Sequence, residues 1–220
     1  MDEIKKGWMK NTTLHYIFDP ICGWCYAAAP LIDAARQIEG LDIVMHAGGL
    51  WTDANVKQIT SQLRDYVVPN DQRIAQITGQ PFGDAYFNGL LTQTDAVLDS
   101  QPPITAILAV NALNGRGLDL LHAIQVAHYV EGRQVSTVEV LRVLAAELNI
   151  STADFDQAYV AQQRAGYQEH IQHSRDLMDA WQVQGFPAMV LEHNGQFSRL
   201  NHAVFYGQPE QFAASFSVAS

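Results

Sequence analysis

The chain has 220 residues, of which 48% are hydrophobic and 16% are charged, a composition typical of one or two compact domains. Its formal net charge of -10 argues against nucleic acid and anionic membrane surfaces as partners, because like charges repel each other. The apolar stretches all fall far short of the roughly 20 residues that a membrane-spanning helix needs.

The N-terminal part of the chain is predicted to form a strand–helix–strand unit. Residues 13–19 are rich in strand-forming residues and are followed by Pro20. A helical pattern runs over residues 22–39 and stops at Gly40, and residues 41–47 read as a second strand. A right-handed crossover makes the two strands parallel in one sheet.

The middle of the chain, from about residue 52 to 165, is predicted to be helical, since strand signals are lost there. The predicted helices cover residues 56–68, 71–77, 102–113 and 118–130, the third with Ser100 as a candidate cap. Two further helix starts are indicated by Ser136 with Glu139 and by Ser151 with Asp154, each pair having capping-box spacing.

Strand character returns near the C-terminus, after a predicted helix over residues 167–181. Residues 188–192 and 196–200 flank Asn194-Gly195, and Asn-Gly between apolar runs is a strong hairpin signal. A short helix over about 209–216 closes the chain. The strands at both ends of the chain can share one sheet if the middle helices form an insertion.

The two cysteines, Cys22 and Cys25, stand three positions apart at the start of the first predicted helix. Two cysteines are too few for a disulfide scaffold, so the pair is predicted to be catalytic, redox-sensing or metal-binding. The unpaired N–H groups that open a helix stabilise an anion. We therefore expect Cys22 to react as a thiolate and Cys25, one turn later, to resolve the mixed disulfide.

The residues around the pair support this chemistry. Gly23 has no side chain to screen the Cys22 sulfur, and Trp24 is expected to stand beside that sulfur as an apolar contact for substrate. Pro30 interrupts the helix at a cost of about 3 kcal/mol, which a purely structural helix would not favour.

Two other interpretations of the cysteine pair stay open. Cys22 and Cys25 can be inert buried thiols, or they can form half of a zinc site completed by His170 and His173, spaced as HxxH. An aromatic-flanked pair at a helix start is poor packing design, and such histidines on a polar helix are more often exposed. We therefore expect no metal and no organic cofactor.

The stretch FDPICGWCYAAAP resembles the active site of thioredoxin-superfamily proteins, in which CxxC opens a helix that a proline kinks. The helical middle between β-containing ends is similar to the DsbA-like branch. Five motifs look closest to its FrnE-like members, which are often cytoplasmic: DPICGWCY at 19–26, AGGLW at 47–51, TGQPFGDAY at 78–86, LDSQPP at 98–103 and QGFPAMVL at 184–191.

The resemblance implies an α/β fold with two domains. A discontinuous thioredoxin-like domain, residues 12–52 and 166–220, would supply an N-terminal β-α-β unit and a C-terminal β-β-α unit. An all-helical domain, residues 53–165, would be inserted between them.

The resemblance also implies that Pro187 is catalytic. In this superfamily a cis-proline precedes a central strand and packs against the cysteine pair, and Pro187 stands directly before the strand at 188. With a cis bond, the backbone of Phe186 would face the cysteines and pair with an extended substrate. Gly23, Trp24, Gly185 and Phe186 are thus expected to contact substrate. From the residues alone, Pro187 can also be an ordinary strand-initial proline.

Asp19 is a candidate proton acceptor. It ends the first predicted strand, three residues before Cys22, and a buried acid accepts the proton of the resolving cysteine in some superfamily members. It can equally be a strand-end residue that bonds to the turn.

These features predict an enzyme that exchanges disulfides with a protein or small-molecule thiol, glutathione among the candidates. We expect it in the cytoplasm, because the chain starts at Met1 without a secretory signal. Reduction or isomerisation is expected there, and oxidation in an exported setting. The alternatives are a glutathione-dependent isomerase or transferase of the hydroxychromene-carboxylate isomerase or kappa type, and a non-enzymatic redox sensor or Cys/His metal-binding module.

Overall fold

The computed structural model describes residues 11–216 and contains a four-stranded sheet in the order β2-β1-β5-β6. Strands β1 (Thr12–Phe18) and β2 (Leu41–Ala47) are parallel. Strand β5 (Ala188–His193) is antiparallel to β1, and β6 (Gln196–Arg199) is antiparallel to β5. Strands from both ends of the chain thus share one sheet, which confirms the predicted thioredoxin-like fold class.

Helix α1 (Gly23–Ala35) connects β1 to β2 and contains Pro30. It ends four residues before the predicted end at Glu39, because the chain tightens there into three-residue turns. The N–H of Ile38 donates to the carbonyl of Ala35 at 3.0 Å, for example.

Within the described residues, five α-helices lie in the segment 53–165 that was predicted to be an insertion. They are α2 (Ser61–Thr78), α3 (Gln101–Asn114), α4 (Gly117–Tyr129), α5 (Val138–Glu147) and α6 (Thr152–Ala161). Helix α2 runs through Pro69 and replaces the two shorter helices predicted for residues 56–68 and 71–77.

The inserted segment was predicted to be wholly helical, but it also contains a pair of short strands. Two-residue strands, β3 (Lys57–Gln58) and β4 (Val97–Leu98), pair in an antiparallel ladder. Strands this short leave no alternating pattern in the sequence, so pattern analysis misses them.

The capping predictions had mixed outcomes. The Ser151 hydroxyl accepts a hydrogen bond from the N–H of Asp154 at 3.1 Å and caps α6 as predicted. Ser136 is not a cap, since its hydroxyl donates to the carbonyl of Val97 at 3.0 Å and α5 begins after Thr137. Ser100 precedes α3, but its hydroxyl accepts from the N–H of Trp51 at 3.2 Å instead of capping the helix.

The C-terminal unit consists of α7 (Tyr167–Ala180), the β5–β6 hairpin and α8 (Pro209–Ser215). Asn194 and Gly195 have φ of 50° and 77°, as a tight turn matched to the strand twist requires. The predicted thioredoxin-like segment extends to residue 220, and its last four residues lie outside the described range.

The two faces of the sheet are covered by different elements. On one face, Leu14, Tyr16 and Phe18 of β1 join the large core that also includes α1 and the inserted helices. On the other, Ile17 and Val190 form a smaller cluster with residues of α7 and the segment after it. Burying each large apolar side chain contributes about 1.5–3 kcal/mol, so both layers hold the strand ends in place. Among the described helices, none has the length and apolar character to cross a bilayer.

Candidate active site

The cysteine pair lies where β1 ends and α1 begins. Cys22 is the N-cap of α1, with an extended backbone (φ -98°, ψ 120°), and therefore stands one residue before the helical position expected for it. Its carbonyl accepts hydrogen bonds from the N–H groups of Cys25 (2.9 Å) and Tyr26 (3.1 Å). Both cysteines are thiols; Cys22 is 8% exposed and Cys25 is fully buried. An incoming disulfide can therefore reach only Cys22 without a rearrangement.

The segment before β5 lies against Cys22. The Phe186–Pro187 peptide bond is cis, as the family resemblance implies. The Cys22 thiol donates to the Phe186 carbonyl oxygen at 3.5 Å, so the backbone of Phe186 faces the cysteine pair. Gly185 has a φ of 74°, which favours glycine at the turn that brings this backbone into place.

Cys25 lies in a different environment from Cys22. Its Sγ atom accepts a hydrogen bond from the backbone N–H of Asp19 at 3.4 Å. Burial raises the pKa of the Cys25 thiol well above its usual value, and the hydrogen bond with Cys22 adds to this effect. Cys25 therefore keeps its proton at neutral pH until another group accepts it.

The side chain of Asp19 is fully buried, one residue after β1 ends at Phe18. Its carboxylate accepts hydrogen bonds from the N–H groups of Ile21 (3.0 Å) and Leu50 (2.6 Å). Burial raises the pKa of Asp19 to about 6, although the bonds from Ser100, Leu50 and Ile21 oppose the rise. The carboxyl can therefore exchange a proton close to neutrality.

The loop that follows β2 is held by α7. The Arg175 guanidinium donates to the carbonyls of Gly48 (3.2 Å) and Gly49 (3.1 Å) and to the hydroxyl of Thr52 (3.2 Å). This loop carries the Leu50 N–H that binds Asp19. Sequence reasoning missed Arg175, since it lies far along the chain and belongs to no recognisable motif.

A recess of about 160 Å³ opens beside Cys22. Its lining includes Gly23, the half-buried Trp24, Trp51, Asp71, Tyr86 and Tyr129. The Trp24 ring packs against the ring of Tyr206, with centroids 5.4 Å apart. Gly23 and Trp24, both expected to contact substrate, thus lie in the wall of a cavity that adjoins the reactive sulfur.

Asp71 is the second site residue that sequence reasoning missed. It is 6% exposed, and its Oδ2 atom accepts a hydrogen bond from the Tyr86 hydroxyl at 2.7 Å. Burial raises the pKa of Asp71 to about 6, and the Tyr86 bond opposes the rise. The sequence feature that could have indicated Asp71 is its position three residues before Ile74, on the face of α2 that is buried.

The candidate zinc ligands do not gather around the cysteines. The Nε2 atom of His170 accepts the N–H of Ala47 at 2.9 Å, and His173 is exposed. In the part of the chain that the structure describes, no three His, Cys, Asp or Glu side chains are placed to hold a metal ion.

A histidine cluster joins β1, β2 and α7. His15 bonds through Nδ1 to His46 Nε2 (2.9 Å) and through Nε2 to Glu192 (3.0 Å). Burial lowers the pKa of His46 to about 3 and that of His170 to about 4, so both are neutral near pH 7. The spacing of these residues in the sequence gave no sign that they meet.

Comparison with protein families identifies one match over most of the chain. The family model of the DSBA-like thioredoxin domain matches residues 13–214. A search of curated proteins found no match.

Solved structures give further similarities. The cytosolic disulfide reductase DsbM from Pseudomonas aeruginosa is 46% identical, with a TM-score of 0.87 over 92% of this chain and 96% of that chain. DsbM with glutathione gives 43% identity, a TM-score of 0.85 and the same coverage. A 2-hydroxychromene-2-carboxylate isomerase is 16% identical, with a TM-score of 0.58 over 92% and 96% of the two chains, a likeness of fold alone.

Proposed function

Since the chain belongs to the DsbA-like thioredoxin family, we propose that it is a cytoplasmic disulfide reductase that takes its electrons from glutathione. The family and its relatives make the chain a protein-disulfide oxidoreductase; the direction, thiol partner and compartment are what is proposed. The 46% identical DsbM is a cytosolic disulfide reductase, and one of its structures contains glutathione. These properties of a close relative support the same assignment for this chain.

Disulfide exchange itself is supported by the asymmetry of the two cysteines, while the reductive direction and the glutathione partner are supported by the similarity to DsbM. In the reduced enzyme, the Cys22 thiolate attacks one sulfur of a substrate disulfide, and the other sulfur leaves as a thiolate that takes up a proton. Cys25 then attacks the Cys22 sulfur and releases the second substrate thiol. The proton of Cys25 passes to Asp19, whose backbone N–H contacts the Cys25 sulfur. The enzyme is left with a Cys22–Cys25 disulfide.

Glutathione closes the cycle. A first glutathione thiolate attacks the Cys22 sulfur, forms a mixed disulfide there and releases Cys25, which regains a proton. A second glutathione thiolate attacks the glutathione sulfur of that mixed disulfide. Glutathione disulfide leaves and Cys22 is again a thiolate. Two electrons pass from two glutathione molecules to one substrate disulfide.

The segment before β5 would hold the substrate during attack. The Phe186 carbonyl lies 3.5 Å from the Cys22 sulfur, within reach of a substrate backbone N–H. Gly185 and Pro187 flank Phe186, while Gly23 and Trp24 line the recess beside the sulfur. We assign Pro187 to the catalytic group because it holds this strand-like edge against the cysteines.

The proposal is tested by coupled turnover. Hydroxyethyl disulfide, glutathione, glutathione reductase and NADPH are mixed with the enzyme, and NADPH oxidation is followed. We expect turnover with wild type and none with Cys22→Ser. Turnover with dithiothreitol but not glutathione would overturn the glutathione assignment, and no turnover with either would overturn the reductase assignment. Detection of the native protein in the cytoplasmic fraction of its cells tests the compartment.

A further inference from the structure

The recess beside Cys22 contains a buried carboxyl without a positive partner. Asp71 makes one hydrogen bond, from the Tyr86 hydroxyl to Oδ2, and no ion pair within the described residues 11–216. Its other oxygen, Oδ1, accepts no hydrogen bond from that part of the chain. A buried carboxylate without a cation is destabilising when it is ionised, so Asp71 is suited to a positively charged ligand.

Gly23 lets this oxygen lie close to the backbone next to Cys22, in the recess that both residues line. A β-carbon at Gly23 would lie only 2.6 Å from Oδ1 of Asp71, closer than atoms can pack. Glycine at this position therefore lets the carboxylate approach the residue directly after Cys22. The burial-raised pKa of about 6 leaves Asp71 mostly ionised at pH 7.5.

The rest of the recess also favours a cation. Its described lining contains no lysine or arginine, and His128, whose pKa burial lowers to about 4, is uncharged at neutral pH. Trp24, Trp51 and Tyr86 contribute aromatic rings, whose faces attract positive charge. The volume of about 160 Å³ admits a short side chain or a small molecule but not a folded segment.

We propose that Asp71 binds the ammonium group of a small aminothiol disulfide while a sulfur atom of that disulfide reacts with Cys22. The inference rests on the proposed function, because it names a substrate class for the same sulfur. With cystamine as the probe, the Cys22 thiolate forms a disulfide with one half of the molecule, whose ammonium lies at Asp71. The other half leaves as a thiolate and takes a proton from solvent. Small disulfides that carry carboxylates and no ammonium group are disfavoured.

The test compares three disulfides of similar length and different charge. Cystamine carries two ammonium groups, hydroxyethyl disulfide is neutral, and 3,3′-dithiodipropionate carries two carboxylates. We expect Asp71→Asn to lower the kcat/KM ratio of cystamine to hydroxyethyl disulfide about tenfold, the loss of one charge-assisted bond of about 1.4 kcal/mol. The kcat/KM ratio of 3,3′-dithiodipropionate to hydroxyethyl disulfide should rise in the same variant. The matched control is Asp95→Asn, an exposed carboxylate whose removal changes the net charge equally and should leave both ratios unchanged.

The ratio separates substrate binding from other roles of Asp71. If Asp71→Asn slows all three disulfides by the same factor, the residue acts on the cysteines or on the fold, and the proposal is overturned. If wild type reduces none of the three, the reductase assignment itself fails.

Tyr86→Phe provides a second route if Asp71→Asn does not fold. It keeps the carboxyl but removes its hydrogen-bond donor, which raises the pKa of Asp71 further. The preference for cystamine should fall at pH 6.5 and return at pH 8. An unchanged preference at pH 6.5 would overturn the proposal.

Discussion

The carboxylate of Asp19 accepts a 2.6 Å hydrogen bond from the backbone N–H of Leu50, which ties the end of β1 to the loop after β2. The N–H of Asp19 also donates to the Cys25 sulfur at 3.4 Å. The backbone of Asp19, the proposed proton acceptor, therefore contacts Cys25, while its carboxylate is bound by a loop that α7 holds.

Replacing Asp19 by Asn should slow resolution of the mixed disulfide, because Asn cannot accept the Cys25 proton. Loss of a general base typically costs on the order of 100-fold in rate. In wild type the resolution rate should rise with pH through about 6, as the Asp19 carboxyl loses its proton and becomes a base. The variant should lack this rise.

The measurement is stopped-flow release of the second thiol from enzyme loaded at Cys22. Asp42→Asn, an exposed carboxylate on β2, is the control and should behave as wild type. A rate in Asp19→Asn equal to wild type across pH 5 to 8 would show that another group takes the proton.

Arg175 is expected to act as a positioning residue through the same loop. Arg175→Gln removes the bonds to Gly48, Gly49 and Thr52, so the Leu50 N–H is held less firmly against Asp19. Resolution should slow several-fold, and its rise with pH should move to higher pH, since a weaker bond stabilises the Asp19 carboxylate less.

A double-mutant cycle checks this route. In the Asp19→Asn background, Arg175→Gln should cause no further loss of resolution rate. An additive loss would mean that Arg175 acts on the site by a path that does not include Asp19.

Gly23→Ala should destabilise the protein, although alanine usually stabilises a helix relative to glycine. The new β-carbon would lie 2.6 Å from Oδ1 of Asp71 and 2.9 Å from Cδ1 of Ile74. Overpacking of this kind costs about 1–3 kcal/mol in the free energy of unfolding, measurable by urea denaturation. The loss should shrink when Asp71 is also replaced by Ala, and a Gly23→Ala variant as stable as wild type would contradict the packing described here.

His170 should make stability fall in acid. Burial lowers the pKa of His170 from 6.5 to about 4, and the neighbouring His173 adds to this effect. Protonation would also remove the lone pair that accepts the Ala47 N–H. A histidine whose pKa is lower in the folded than in the unfolded protein stabilises the fold fully above its unfolded pKa of 6.5. This contribution to the free energy of unfolding is lost as the pH falls toward 4.

Comparison with His170→Gln isolates the effect, because Gln can accept the same N–H and does not titrate. Between pH 7 and 4.5, wild type should lose about 2 kcal/mol more unfolding free energy than the variant, allowing for partial exposure. Equal losses in urea titrations at the two pH values would show that His170 titrates normally in the fold.

Local sequence patterns predicted the elements that depend on local forces. Strand β2, the Asn194-Gly195 turn and α8 follow from strand-forming runs, turn residues and a proline at a helix start. The full length of helix α2 was not predicted, because the helix continues past Pro69, a residue that usually ends or kinks a helix. The β3–β4 ladder likewise depends on two segments about 40 residues apart meeting in the fold.

The residues of the candidate site also separate into those that local sequence indicated and those that depend on tertiary packing. Cys22 and Cys25 were predicted from their spacing at a helix start, and Pro187 from the resemblance to a family. Asp71 and Arg175 reach the site only through tertiary packing, from 49 and 153 residues beyond Cys22. A buried acid on one helix and a loop-binding arginine on another have no sequence pattern that points to a cysteine pair.

The most direct measurement of the division of labour between the cysteines is the capture of a substrate adduct. Cys25→Ser and Cys22→Ser are each incubated with hydroxyethyl disulfide at pH 7, and the modified peptide is identified by mass spectrometry. We expect rapid formation of a stable adduct on Cys22 in the first variant and little or no adduct on the buried Cys25 in the second. Equal rates of adduct formation at the two positions would contradict the assignment of Cys22 as the attacking residue.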